Sequence, residues 1–148
     1  ADFKYDVRQD RVVFLVKNRL NHRIVGAVGR ALNKNEFPKW FMYGSKDVPF
    51  KCGDCEDVVI VEDCPSACAV SNVLTGIAIM GTSLKSSHLE HLKPYKNLYV
   101  CLDRDATSKS YDMAKDLRSS GFDNVIVKPI EDDLKYYNTD QIRSMFYE

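Results

Sequence analysis

From residue 57 onward the chain alternates short apolar runs with stretches of helical periodicity, and this alternation constrains the fold more than any other feature. Residues 57–61, 77–80, 98–102 and 124–127 read as strands, bounded by turn residues. Residues 65–74, 86–92, 106–120 and 139–146 read as helices. Pro65 suits a helix start, Gly121 a helix stop and Thr139 a cap. In the third helix Ala106, Met113, Ala114 and Leu117 share one face. Strands separated by helices pair in parallel, and continuous apolar strands of that kind are covered on both faces. The expectation is an α/β fold built on a parallel sheet of about four strands flanked by helices.

The segment before it is different. Residues 11–16 and 24–28 read as a hairpin through the turn chemistry of 18–22, and 37–43 as an aromatic-rich strand after Pro38. Residues 44–54 read as a loop rich in Gly, Pro and Asp, which places a boundary between a small β-rich part, 1–54, and the α/β part, 55–148. Net charge is zero, yet residues 1–51 carry 11 Lys/Arg against 5 Asp/Glu, and the remainder 10 against 16. A basic front suits polyanions and an acidic back suits cations. No apolar run is long enough to span a bilayer, and the charged start ADFKYDVRQD lacks a signal-peptide pattern, so no membrane partner and a cytoplasmic location are expected. Of five cysteines, Cys52, Cys55, Cys64 and Cys68 fall within 17 residues, a spacing open to zinc; buried free thiols are the commoner outcome.

In open parallel sheets the functional site lies outside the carboxyl ends of the strands. That rule selects Glu62-Asp63, Gly81-Thr82-Ser83 and Asp103-Arg104-Asp105. Hard divalent cations such as Mg2+ or Mn2+ take oxygen ligands, and a cation relieves the repulsion of clustered carboxylates. Glu62, Asp103 and Asp105 are therefore candidate metal ligands and catalytic residues, although acids after strands also serve as helix caps, as Asp105 would at Ala106. Arg104 between the aspartates would pair with the acids around it. Lys109, one turn into the next helix, is a candidate phosphate contact. Trp40, Phe41 and Tyr43 beside Lys39 and Lys46 mix aromatic and basic residues as single-strand binders do, a pattern that sheet cores also produce. His88 and His91 lack ligand spacing, and Ser66 and Ser83 lack the partners of a hydrolytic triad.

The runs VVIVEDCPSACAVS, GIAIMGTSL and LYVCLDRDATSK together resemble the Toprim domain shared by primases, topoisomerases and related nucleases. Its Glu after the first strand and DxD after the third fall on Glu62 and Asp103/Asp105. The late acidic segment KPIEDDLKYYNTDQI places Asp133 near the same site. The run RVVFLVKNRLNHRIVGAVGRAL with PKWFMY resembles the small basic subdomain preceding Toprim in bacterial-type primases, and the motif wording is similar to phage primase-type proteins. By that match Arg30, Lys39 and Lys51 contact nucleic acid or nucleotide. The resemblance covers roughly residues 11–146. It implies magnesium- or manganese-dependent nucleotidyl transfer on a single-stranded DNA template from nucleoside triphosphates, as in primer synthesis. The protein would work with a helicase or other replication proteins, in the host cytoplasm if viral. A nuclease acting on RNA or DNA, and a non-catalytic replisome-docking module, are the other readings of the same motifs. The residue after Glu62 is Asp63, where many primases carry Gly.

Overall fold

The computed structural model describes residues 3–45 and 47–148; Lys46 lies outside them. An antiparallel sheet comes first, with β1 (Phe3–Asp6), β2 (Arg11–Lys17), β3 (Ile24–Ala31) and β4 (Trp40–Gly44) in that spatial order. A second sheet has the order β5 (Phe50–Cys52), β7 (Thr75–Ala78), β6 (Val58–Val61), β8 (Leu98–Val100), β9 (Val125–Val127). Its last four strands are parallel, and β5 joins antiparallel on β7, so the sheet is mixed. Two elements correct the expectation. β1 was not foreseen, and β5 falls inside the segment read as a loop. Three residues with a buried–exposed–buried pattern carry too little periodicity to be legible.

Helix α1 (Cys64–Ala69) and helix α4 (Thr139–Tyr147) lie on one face of the second sheet, α2 (Ser86–Leu92) and α3 (Thr107–Ser119) on the other. The strand period of two sorts the side chains: Val59, Val61, Ala78 and Tyr99 join the first layer, while Val58, Ile60, Ile77 and Val100 join the second. The first layer continues into the antiparallel sheet through Phe14, Val16 and Val28, with Phe14 edge-on to Phe50 at 5.6 Å. No helix among the described residues is long and apolar enough to cross a membrane.

Two helix readings change. α1 stops at Ala69 instead of continuing to 74, because β7 begins at Thr75 to match the whole length of β6 (Val58 opposite Thr75) and the chain must turn before it. Thr75 is fully buried, and its hydroxyl accepts from the Cys55 N–H and donates to the Cys55 carbonyl, at 2.8 and 2.9 Å. α4 is capped by Asn138, not Thr139. Asn138 accepts from the Gln141 N–H, and Gln141 accepts in return from the Asn138 N–H.

Helix α1 rests directly on β7 at Gly76, where a Cβ would fall 2.4 Å from the Ala67 carbonyl oxygen. A methyl there cannot be absorbed by a flexible side chain, since backbone lies on both sides. Gly76→Ala is expected to destabilise the chain by about 3 kcal/mol or more. Chemical denaturation checks this, and an unchanged midpoint would refute the packing described.

A candidate metal and phosphate site at the strand ends

The spatial order β7-β6-β8 makes the chain reverse direction across the sheet between β6 and β8. From β6 it crosses to α1 on one face, and from β8 to α3 on the other. The two connections diverge and leave a crevice between the strand ends, the position at which open α/β sheets bind ligands. Glu62 leaves β6 and Asp103 leaves β8, so the carboxylates flank that crevice. Glu62, Asp103 and Asp105 each offer an oxygen such that all three lie within 4.8 Å of one another, the only such group of three among the described residues. Glu62 and Asp103 are half-buried and Asp105 is exposed.

Helix capping does not account for this gathering. The capping role falls to Asp63, which accepts from the Ser66 N–H at 2.9 Å. Asp103 precedes the 3-10 turn Arg104–Ala106 without a side-chain cap bond, and the α3 cap position is Ala106. The structure instead turns one backbone group towards the cluster: the Asp103 N–H donates to Glu62 Oε1 at 3.2 Å. Burial, reinforced by the charge of Asp103, pushes the Glu62 carboxyl up to about 7. Asp103 is also raised, chiefly by burial, with Asp63, Asp133 and Asp105 adding repulsion. Three convergent hard oxygens that resist simultaneous ionisation fit a divalent cation such as magnesium or manganese.

The other sequence candidates lie outside this group of three. Asp133 is exposed, outside the three-oxygen group, yet near enough for its charge to raise Asp103. Lys109 donates to the Thr82 hydroxyl at 3.2 Å, which ties the first turns of α3 to the Gly81-Thr82-Ser83 loop. Arg30 stands opposite Trp40 in the β3–β4 register, with its guanidinium 5.0 Å from the indole centre. Lys39 is exposed, and its carbonyl accepts from the Ala31 N–H. Lys51 pairs with Asp54 at 3.6 Å, not with the acidic cluster. Arg104 is exposed and makes no ion pair with the aspartates beside it. Trp40 packs partly against the core, whereas Phe41 and Tyr43 meet edge-on at 4.9 Å on the opposite face. His88 is buried, and its Nδ1 accepts from the Lys85 N–H, so it is no ligand. The four cysteines open to zinc do not converge, and all five are free.

Two features of the structure escaped sequence reasoning. Met80, which leaves β7 beside the Gly-Thr-Ser loop, has φ of 55°, a left-handed conformation costly for a long side chain. Nothing in the residue type signals it. Arg11 is fully buried under Phe41, its guanidinium bonded to Gln9 and to the carbonyls of Gly29 and Lys39. Only the facing Gly29, which leaves room for it, hinted at this.

No protein-family model matches the chain. In sequence it is 27% identical over 121 residues to a DNA primase of Legionella pneumophila, which covers 71% of this chain and 21% of that protein. In structure it matches the zinc-binding and RNA polymerase domains of the Aquifex aeolicus primase with a TM-score of 0.68, over 92% of this chain and 37% of that one, at 22% identity. The chain thus spans about a fifth of the length of the curated relative. The resemblance to primase-type proteins read from the motifs is therefore shared by the sequence of one bacterial primase and the fold of another.

Proposed function

We propose that this chain is a metal-dependent nucleotidyl-transfer core of a primase-type replication protein, with a Toprim arrangement of its carboxylates. The observation that carries the reading is the convergence of Glu62, Asp103 and Asp105 at the crevice between β6 and β8. The likeness to two primases supports the substrate class, a single-stranded DNA template and nucleoside triphosphates. A bacteriophage source, a cytoplasmic setting (the host's, if viral) and a helicase partner belong to the same proposal.

Glu62, Asp103 and Asp105 would hold magnesium or manganese, with Asp133 adding negative field from outside. When bound, such an ion neutralises charge developing on a phosphoryl group. The chain's own residues do the remaining work. Lys109 and Thr82 place a cation and a hydroxyl at the rim, where a triphosphate oxygen can be held. Arg30, stacked on Trp40, Lys39 and Lys51 present cations along the first half of the chain for a nucleic-acid backbone. Catalysis of this kind consists mainly of positioning and charge neutralisation.

Calorimetric titration of magnesium or manganese should give a saturable site. Asp103→Ala should weaken it by more than about tenfold, since even residues that only orient ligands are worth roughly 10–100-fold. Primer synthesis on a single-stranded template should fall by at least about a hundredfold in the same variant. Synthesis unaffected by alanine at Glu62, Asp103 and Asp105 would sink the reading, and strand cleavage without synthesis would replace it with a nuclease.

The site also predicts a pH dependence. The folded Glu62 carboxyl titrates above its ordinary 4.5, so its contribution to stability is complete below that pH and is lost as pH rises through about 7. The metal-free chain should therefore melt progressively lower across that window, and Glu62→Gln should flatten the profile. Metal competes with that proton, so the affinity should increase as pH rises through about 7. An affinity independent of pH across this range would show that Glu62 is not a ligand.

A further inference from the structure

Where the antiparallel sheet meets the start of α2, the protein encloses a cavity of about 100 Å³. Val28 and Met42 line it from that sheet, Val48 and Phe50 from the approach to β5, and Ile79 and Met80 from the chain just past β7. Two polar residues join these apolar walls, Lys85 and His88. His88 is only 4% exposed, and its Nδ1 accepts from the Lys85 N–H at 3.1 Å. Burial, with the Lys85 charge adding to it, pushes the imidazole down to about 4, so the ring is neutral. A neutral ring whose Nδ1 accepts carries its proton on Nε2. Nε2 has no hydrogen-bond partner among the described residues and is not sealed off by them.

A mostly apolar recess with one placed donor is the general form of a small-ligand site. Met80 in its wall has φ of 55°, a conformation that persists where the surroundings enforce it and that clusters at ligand sites. Size and position then identify the occupant. An apolar cavity of about 150 Å³ holds a benzene ring, so this smaller one takes a single six-membered ring and excludes a fused pair. A hydrocarbon ring would leave the His88 donor unmet, whereas a ring carbonyl accepts from it. Met80 is two residues from Thr82, at most about 7 Å of extended chain, and Thr82 accepts from Lys109. The Ile79 N–H donates to the Val61 carbonyl at 3.0 Å, and Glu62 follows Val61. The cavity therefore borders the strand beside the one that ends in Glu62.

We propose that this cavity is a pyrimidine subsite, which receives the ring of a pyrimidine nucleotide while His88 Nε2–H donates to a ring carbonyl. Uracil, thymine and cytosine each carry such a carbonyl, and the purines are too large for the recess. The phosphates of the same nucleotide then lead along residues 80–82 towards Lys109. That route rests on the nucleotidyl-transfer reading, whereas the ring subsite stands on the cavity and on His88 alone.

The test titrates uridine, cytidine, adenosine and guanosine into the intact, metal-free chain while nitrogen-edited NMR follows the imidazole signals. The pyrimidine nucleosides should bind saturably and move the His88 ring resonances, and the purine nucleosides should bind at least about tenfold more weakly. His88→Phe should weaken uridine by about tenfold. Val48→Phe, at a half-buried position in the wall, should fill the recess and abolish binding. Absence of uridine binding, adenosine bound as tightly as uridine, or binding that leaves the His88 ring unmoved would each overturn the proposal. Spectra of the unmodified chain decide the matter even where a variant fails to fold. Nucleosides carry no phosphate and need no metal, so failure here leaves the carboxylate centre standing, and failure of magnesium binding leaves this subsite standing.

Discussion

The four side chains of β6 are completely withdrawn from water. A strand buried on both faces needs a helical layer on each side, and that need determines where the chain can go next. The connection from β6 supplies α1 to one layer and the connection from β8 supplies α3 to the other. Burying β6 therefore creates the divergence that opens the crevice at its end. Once Cys101 and Leu102 have joined the core, the residues at this end of the sheet bring Glu62, Asp103 and Asp105 together. The site is a by-product of core formation, chemically specialised.

That specialisation opposes stability. Burial and the neighbouring acids raise the proton affinity of Glu62 and Asp103, and among the described residues no ion pair compensates either of them. Lys109, one turn into α3, is engaged with Thr82 of the loop after β7. An arrangement that keeps negative charge converged while placing positive charge at the periphery is suited to an incoming cation at the centre and an anion beside it. Asp63 shows the contrast: one residue from Glu62, it is satisfied by a helix N-terminus.

Much of this was legible because the two periodicities differ. The parallel strands and the helices 86–92 and 107–119 declare themselves by apolar runs and a repeating face, and the strand-end rule then pointed to the three acids. What was hidden depends on long-range pairing. β5 is a strand only because β7 offers it an edge, and β1 because β2 does. The end of α1 is set by the register of β7 against β6, not by the propensity of residues 70–74. The candidate cations were legible as types but not as positions: Lys109 found a partner at the site, whereas Lys51 found Asp54. The stacking of Arg30 on Trp40 needed the β3–β4 register to be known.

The short strand β5 has a mechanical consequence. It is covalently continuous with the antiparallel sheet, yet hydrogen-bonded along β7, whose far neighbour is β6. With Phe50 wedged against Phe14, it acts as a hinge pin driven through both leaves. Swinging the basic leaf away from the acidic one would mean stripping the β5 pairing and exposing Phe50 at the same moment. The placement of the first half's cations against the carboxylates of the second is thus tied to one three-residue strand and one aromatic contact.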